Sequence, residues 1–428
     1  MRAILDPVVA GIARSLTGVF FRSVEVAHGE RIPGGAPLLI VANHVNSLAD
    51  PLLLMAFVKG RVRLLAKSTL WSHPVLGPLL VFAGALPVYR QRDAGEDVTK
   101  NLGTFRRCHE ELAAFGAVAL FPEGTSHNLP HRLPLKTGAA RIALEAVALG
   151  RGKGLRILPV GLVYEAKGRF RSRVLINVGK PIDPEPLVSR FDTEPREAAR
   201  ALTEQIASGL EAVTTSYESW DEARLLNLAS AVIGDATLEE RFRRSRAFLA
   251  AYREFRTREP ERIATLVKAV EQYEGHLRAL SLQDDDVAAV SQRRRAWLEL
   301  VTNLPLGLIG AALNALPYLI TGWVTRRFSR TPDEPATYML MTALLAFPVT
   351  WTGMGLLGAL LGGPLAGLLA ATIPPVTGYA ALRLREAVSV LGQPQPTAGL
   401  RSERASLALA IRDLIGLAGG AIEEPAAP

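Results

Sequence analysis

The chain is poor in the residues that would commit it to several kinds of chemistry. It has one cysteine, Cys108, among 428 residues, so neither an intrachain disulfide framework nor a cysteine metal cluster can form. That cysteine stands in TFRRCHEELAAF, which has the spacing of an amphipathic helix, and reads as a small core residue in a reduced, cytoplasm-facing compartment. Aromatic residues make up 6% of the chain and nowhere interleave with basic ones, which speaks against a face that stacks nucleic-acid bases. The net charge of +8 therefore points to another anionic partner, a phospholipid surface or a phosphorylated substrate. No G-x-S-x-G stretch occurs, so the strained elbow of a serine hydrolase is missing.

Charge is missing from two long stretches, 301–324 and 335–382. A helix over the 24 residues of the first reaches about 36 Å at 1.5 Å per residue, enough for a hydrocarbon core of roughly 30 Å. The second is long enough for two passes, with Gly362, Gly363 and Pro364 as the natural turn. Arginines flank both stretches at 293–295, at 326, 327 and 330, and at 383 and 385. The positive-inside tendency places all three flanks in the cytoplasm, which makes 335–382 a hairpin. Residues 301–324 are then a re-entrant or kinked segment, helped by Pro305 and Pro317, or else a single crossing. GMGLLG at 353–358 matches a dinucleotide fingerprint by letter, but no acidic residue follows about 20 positions on. Gly358 and Gly362 read instead as a close-packing surface between membrane helices.

The remaining text divides by pattern. Residues 1–22 carry Val8, Val9, Ile12, Leu16, Val19 and Phe20 at helical spacing, broken by Arg2, Asp6, Arg14 and Arg22. They read as an amphipathic helix at a membrane interface, neither a span nor a secretory signal. From 23 to 190 strand-like runs alternate with helical ones: PLLIVAN (37–43), RVRLLAK (61–67), GALPVYR (84–90), GAVALFPEG (116–124), RILPVGLVYE (156–165) and VLINVG (174–179). That alternation indicates an α/β domain. Residues 191–296 are charge-rich and helical, an extension with solvated faces. The membrane region takes 297–386, and 387–428 form a polar tail with one short helix, ERASLALAIRDLIGLA.

Two segments can carry chemistry. In LLIVANHVNSLADPLLL a strand leads into His44, and Asp50 precedes Pro51 at a helix start, near the N-cap. Six residues apart on one helix, the two side chains would diverge by about 120°, so a loop must bring them together. A carboxylate on Nδ1 fixes the imidazole tautomer and leaves Nε2 to take a proton from a hydroxyl. Such a pair can activate an alcohol toward an acyl group with neither metal nor serine nucleophile. In FPEGTSHNLPHRLPLKTGA a strand ends in a turn at Glu123 and Gly124 and runs to Lys136; with Arg90 at the end of GALPVYR, two cations could converge on a phosphate.

Together NHVNSLAD, GALPVYR, FPEGTS and ILPVGL resemble, in order and spacing, the four blocks of the PlsC-like glycerolipid acyltransferase superfamily. The resemblance covers about residues 20–190 and implies a mixed sheet flanked by helices. The chain departs from the common pattern in having five residues between His44 and Asp50 rather than four, and no arginine directly after FPEGT. In both respects it resembles a glycerol-3-phosphate/dihydroxyacetone-phosphate acyltransferase branch that carries a membrane hairpin after the catalytic domain. The resemblance implies His44 as general base and Asp50 as its orienting partner. It implies Arg90 on the acceptor phosphate, Glu123, Gly124 and Lys136 shaping the site, Lys67 near the donor or phosphate, and Pro159 lining the acyl or acceptor pocket. The co-substrate would be acyl-CoA or acyl-carrier protein with no further cofactor, and the enzyme would work on the cytoplasmic face of the cell membrane. The alternatives are a lysophosphatidate or other lysophospholipid acceptor, or a non-catalytic lipid-binding protein.

Overall fold

The computed structural model describes residues 2–58, 62–90, 97–234, 237–284, 287 and 290–418. Its chain divides into two compact units, Met1–Ser216 with Ser329–Leu340, and Tyr217–Phe328 with Met341–Pro428.

The first unit is built on a mixed sheet of seven strands in the order β1-β7-β6-β2-β5-β3-β4. These are β1 (Ser23–Ala27), β2 (Leu38–Ala42), β3 (Val62–Lys67), β4 (Leu86–Val88), β5 (Ala117–Leu120), β6 (Arg156–Tyr164) and β7 (Arg173–Val178). Strands β4, β3, β5, β2 and β6 run parallel, β7 is antiparallel to β6, and β1 follows β7. The central strand β2 reads LLIVA and is buried throughout, the pattern of a parallel strand covered on both faces. Its alternate residues serve two cores. Leu38, Ile40 and Ala42 pack with α1 (Arg2–Phe20) and α2 (Ala49–Phe57), whereas Leu39 and Val41 pack with α4 (Asn101–Ala113), α5 (Gly138–Ala148) and α7 (Pro195–Val213). Two further helices, α3 (Leu76–Ala83) and α6 (Val188–Thr193), complete the unit.

One expected boundary moves. The catalytic unit does not stop at 190, because α7, assigned to the charged extension, buries Ala198, Leu202, Ile206 and Leu210 against the sheet. Gly161 of β6 permits that approach, since a Cβ there would lie 2.0 Å from the Val213 carbonyl oxygen. Strand β1 went unread because SVEVA is a short, half-exposed edge strand. Helix α1 is packed along one side, burying Ala13, Thr17 and Phe20, with Arg14 donating twice to the Ala56 carbonyl. Val8, Ile12 and Val19 stay exposed on its other side. Cys108 is fully buried in α4, and that burial pushes its thiol up to about 12.

The second unit has its own core, formed by α8 (Trp220–Val232), α9 (Leu238–Arg258), α10 (Pro260–Ala279) and α14 (Ala398–Leu417). Helix α14 corrects the reading of 387–428 as a polar tail: it is 20 residues long and buries Leu407, Ile411, Leu414 and Ile415 in that core. The end of the tail, 419–428, lies outside the described residues.

The uncharged stretches are helical. Helix α11 (Val290–Leu313) and α12 (Ala315–Phe328) are separated at Asn314, and α13 runs over Pro335–Gly392. Arg293–Leu313 and Pro335–Gly392 are long and apolar enough to cross a membrane. Within α13 the backbone leaves helical geometry at Gly363 (φ 83°, ψ 179°), at the expected turn, so it is two arms. The arms approach through small residues: a Cβ on Gly358 would meet the Ala366 oxygen and Ala370 Cβ at 2.9 Å, and one on Gly367 would meet Ala359 Cβ at 2.6 Å. GMGLLG is thus a packing surface.

Candidate active site

Parallel strands deliver their following loops to one edge of the sheet, the carboxyl edge where α/β folds bind ligands. Because β5 inserts between β2 and β3, the loops after β2 and β5 become neighbours although their residues are about 80 positions apart. Beyond β2, the Asn43 amide exchanges two hydrogen bonds with the Leu162 backbone of β6, donating at 3.1 Å and accepting at 2.7 Å. The His44 backbone is then held from both sides: its N–H donates to Glu123 Oε1 (3.2 Å) and its carbonyl accepts from the His127 N–H (3.2 Å). Its ring stacks on Phe121 with centroids 4.1 Å apart.

The His44 imidazole lies with Nδ1 2.8 Å from Asp50 Oδ2. That oxygen also accepts the Val45 and Asn46 N–H groups at 2.8 Å each, and Oδ1 accepts the Tyr164 hydroxyl. Asp50 acts solely as an acceptor in this arrangement, so Nδ1 carries the imidazole proton and Nε2 has the free lone pair. The Asp50 side chain has no solvent exposure, whereas the His44 side chain keeps 18%. The imidazole is thus partly exposed while its partner is sealed. Burial, reinforced by the neighbouring Asp50 charge, pushes the Tyr164 phenol well above its ordinary value and keeps it a donor.

Asp50 is not the N-cap. Helix α2 begins at Ala49, and the Asp50 carboxylate turns back onto the preceding loop instead of capping its own helix. Within the five-residue spacer Ser47 has a left-handed φ of 39°.

The structure gathers some of the other expected residues and separates others. Gly124, in left-handed geometry (φ 72°), offers its carbonyl to Arg90 Nη1 at 2.7 Å. A Cβ at Gly124 would lie 2.8 Å from Lys136 Nζ, so the two cations meet at this glycine. Lys67 ends β3 beside Val88 of β4, on the same sheet edge. Glu123 is buried, and its oxygens accept from the His44 and Leu133 N–H groups and pair with the His127 ring. It braces the two loops. Pro159 does not line this edge, because its ring packs beneath α7, where a Cβ on Gly209 would meet its Cγ at 2.7 Å.

Tyr164, Phe121, Asn43 and His127 went unread in the sequence. Their roles depend on strand pairing, and the one available signal was position: Asn43, Phe121 and Tyr164 stand at or just beyond a strand end, and His127 lies in the loop after β5. Lys167, just past β6, donates to Asn128 Oδ1 at 2.8 Å. Burial lowers its ammonium below the usual lysine value, although Asp50 and Asp333 oppose that shift.

The profile of the Acyltransferase family matches residues 23–163, the span that holds His44, Asp50, Arg90, Gly124 and Lys136. The chain carries an acyltransferase domain. Over 221 residues it is 29% identical to a glycerol-3-phosphate O-acyltransferase 2 of Saccharomyces cerevisiae, an alignment covering 50% of this chain and 30% of that protein. It is 33% identical over 174 residues to a lyso-ornithine lipid O-acyltransferase of Brucella abortus, covering 37% of this chain and 61% of the relative. A crystal structure of the 1-acyl-sn-glycerophosphate acyltransferase PlsC from Thermotoga maritima matches at 23% identity and a TM-score of 0.36, over 49% of this chain and 78% of that one. The chain therefore spans less than two thirds of the length of either curated relative. Within the acyltransferase domain, Arg90, Gly124 and Lys136 gather on the sheet edge that carries His44.

Proposed function

We propose that the protein is a membrane-bound O-acyltransferase that moves a fatty acyl group from an acyl-CoA or acyl-carrier-protein thioester to a hydroxyl of glycerol 3-phosphate or dihydroxyacetone phosphate. The observation that carries this reading is the His44–Asp50 pair, with its buried carboxylate and accessible imidazole. His44 Nε2 takes the acceptor hydroxyl proton as the oxygen attacks the thioester carbonyl carbon. The tetrahedral oxyanion collapses, the carbon–sulfur bond breaks, and the imidazolium returns its proton to the leaving thiolate. The Val45 and Asn46 N–H groups are committed to Asp50, so the oxyanion takes its donors elsewhere. Arg90 and Lys136, converging at Gly124, supply positive charge for the acceptor phosphate. The apolar helices hold the enzyme at the bilayer into which the acylated product partitions, with the catalytic unit on the cytoplasmic side.

A lysolipid acceptor is the second reading, supported by the Brucella relative's acceptor. Acyl transfer from CoA and carrier-protein thioesters to glycerol 3-phosphate, dihydroxyacetone phosphate and lysophosphatidate separates the two. The first reading expects product on a small glycerol phosphate. Transfer confined to the lysolipid overturns it in favour of the second, and no turnover with any pair overturns both.

A further inference from the structure

Between the two apolar stretches the chain returns to the catalytic unit, as residues Ser329–Leu340. This segment is anchored by Ala336 and Leu340, buried in the core that also holds Leu53 and Leu54 of α2. Its polar side chains reach the loops of the active site. Asp333 is 9% exposed, and its Oδ2 lies 3.0 Å from Ser47 Oγ and 2.9 Å from Ser126 Oγ. Each hydroxyl has a single proton, and this carboxylate oxygen accepts both. Ser126 Oγ in turn accepts the Ser47 N–H at 3.2 Å, and Thr337 Oγ1 accepts the Leu48 N–H at 3.1 Å.

The contacts fall on the middle of the loop between His44 and Asp50. Ser47 and Leu48 lie midway between His44 and Asp50, and Ser47 has the left-handed φ that a serine does not adopt without support. Burial raises the Asp333 carboxyl, but hydrogen bonds from Ser126, Thr331 and Ser47 together hold it below the ordinary aspartate value. It stands charged at neutral pH as the common acceptor of two loops. Asp50 fixes the front of the His44 loop through Val45 and Asn46, leaving its back to this second carboxylate.

We propose that Asp333 is a positioning residue for acyl transfer, holding the five-residue spacer between His44 and Asp50 in its catalytic shape through Ser47 and Ser126. The proposal rests on the acyltransferase reading above. It makes the connection between the apolar stretches part of the catalytic apparatus, without contact with substrate. A misplacement of about 1 Å in such a loop is enough to cost on the order of 100-fold in rate.

The test uses the full-length protein in one detergent or vesicle preparation. Asp333→Ala lowers kcat by about 10- to 100-fold while both KM values stay within about twofold, the signature of lost geometry rather than lost binding. Asp333→Asn, which retains an acceptor oxygen, recovers most of that loss. Ser126→Ala is slower than wild type, and the double variant Asp333→Ala/Ser126→Ala is no slower than Asp333→Ala, because both changes cut one link. Amide exchange in the 44–50 segment rises in Asp333→Ala, a reading that requires no turnover. Wild-type kcat with unchanged exchange in Asp333→Ala, or fully additive losses in the double variant, overturns the proposal. If Asp333→Ala does not fold, Ser126→Ala decides: unchanged kcat and exchange there overturn it equally. An inactive wild-type protein refutes the acyltransferase reading itself, whereas an active one with an indifferent Asp333→Ala refutes the brace alone.

Discussion

Two buried side chains collect hydrogen bonds from distant parts of the chain: Asp50 beneath the His44 loop, and Asn314 at the break between α11 and α12. Asn314 Nδ2 donates to the carbonyls of Gly310 and Pro374 at 2.9 Å each, and its Oδ1 accepts Trp351 Nε1 at 2.9 Å. Asp50 accepts from a ring nitrogen, two backbone N–H groups and a phenol. Both clusters obey the rule that buried polar groups are partnered. They differ in where the chain of bonds ends. The Asn314 cluster closes on neutral backbone and indole groups and ties helices together; the Asp50 cluster opens onto the partly exposed imidazole of His44. Partnering stabilises a fold, and one partly exposed titratable group makes a partnered cluster a site.

His44→Ala should reduce kcat by about 10²- to 10⁴-fold, since a general base is removed, with the thermal unfolding midpoint nearly unchanged. Appreciable transfer by that variant ends the assignment of His44 as base. Asp50→Asn should cost about 10²-fold or more in kcat, because an amide can present a donor to Nδ1 and reverse the tautomer. It should also lower stability, since two loop N–H groups lose a charged acceptor. Asn314→Ala should do the converse: turnover of the solubilised enzyme stays near wild type, while stability falls by about 1–3 kcal/mol as partners lose their bonds. Reduced kcat in a fully stable Asn314→Ala protein would show that the two clusters are not separate in function.

Tyr164→Phe should have the smallest effect, a several-fold fall in kcat for one lost hydrogen bond to Asp50, corresponding to about 1 kcal/mol. It should also alter the alkaline limb of stability. The folded Tyr164 binds its proton more tightly than the unfolded chain does, so its contribution is present below about pH 10 and is lost as pH rises beyond that value. The phenylalanine variant loses less stability over that range. Some alkaline loss remains, because burial and Asp284 raise Tyr273 in the same direction. Stability measured between neutral and strongly alkaline pH checks both points.

Much of the architecture was legible because it is written in local pattern. Continuous apolar runs marked β2 and β5, β-branched text marked β6 and β7, and the absence of charge marked the later part of α11, most of α12, and α13 together with the turn at Gly363. The allegiance of α7 and α14 was not legible, since a charged amphipathic helix has the same text whether its apolar stripe meets a sheet, a neighbouring helix or little at all. Within the site, His44 and Asp50 could be paired from their spacing around Pro51, because one loop carries both. Glu123 was expected to help shape the site, and only the seating of β5 beside β2 showed how, as an acceptor that joins two loops. Pro159 was drawn toward the pocket by its motif, yet its place in the alternation of β6 sends it to the face covered by α7.

By itself the sequence determined the identities that no packing can supply: an imidazole and a carboxylate on one short loop, cations after neighbouring strands, glycines where helices must touch, and two stretches without charge. Tertiary structure alone decided which of those groups meet. Tyr164 reaches Asp50 from 114 residues away and Asp333 reaches Ser47 from 286, and such contacts depend on strand order and on the path by which the chain returns. Neither leaves a periodic trace in the chain, because a hydrogen bond between remote segments constrains one residue at each end and nothing between them.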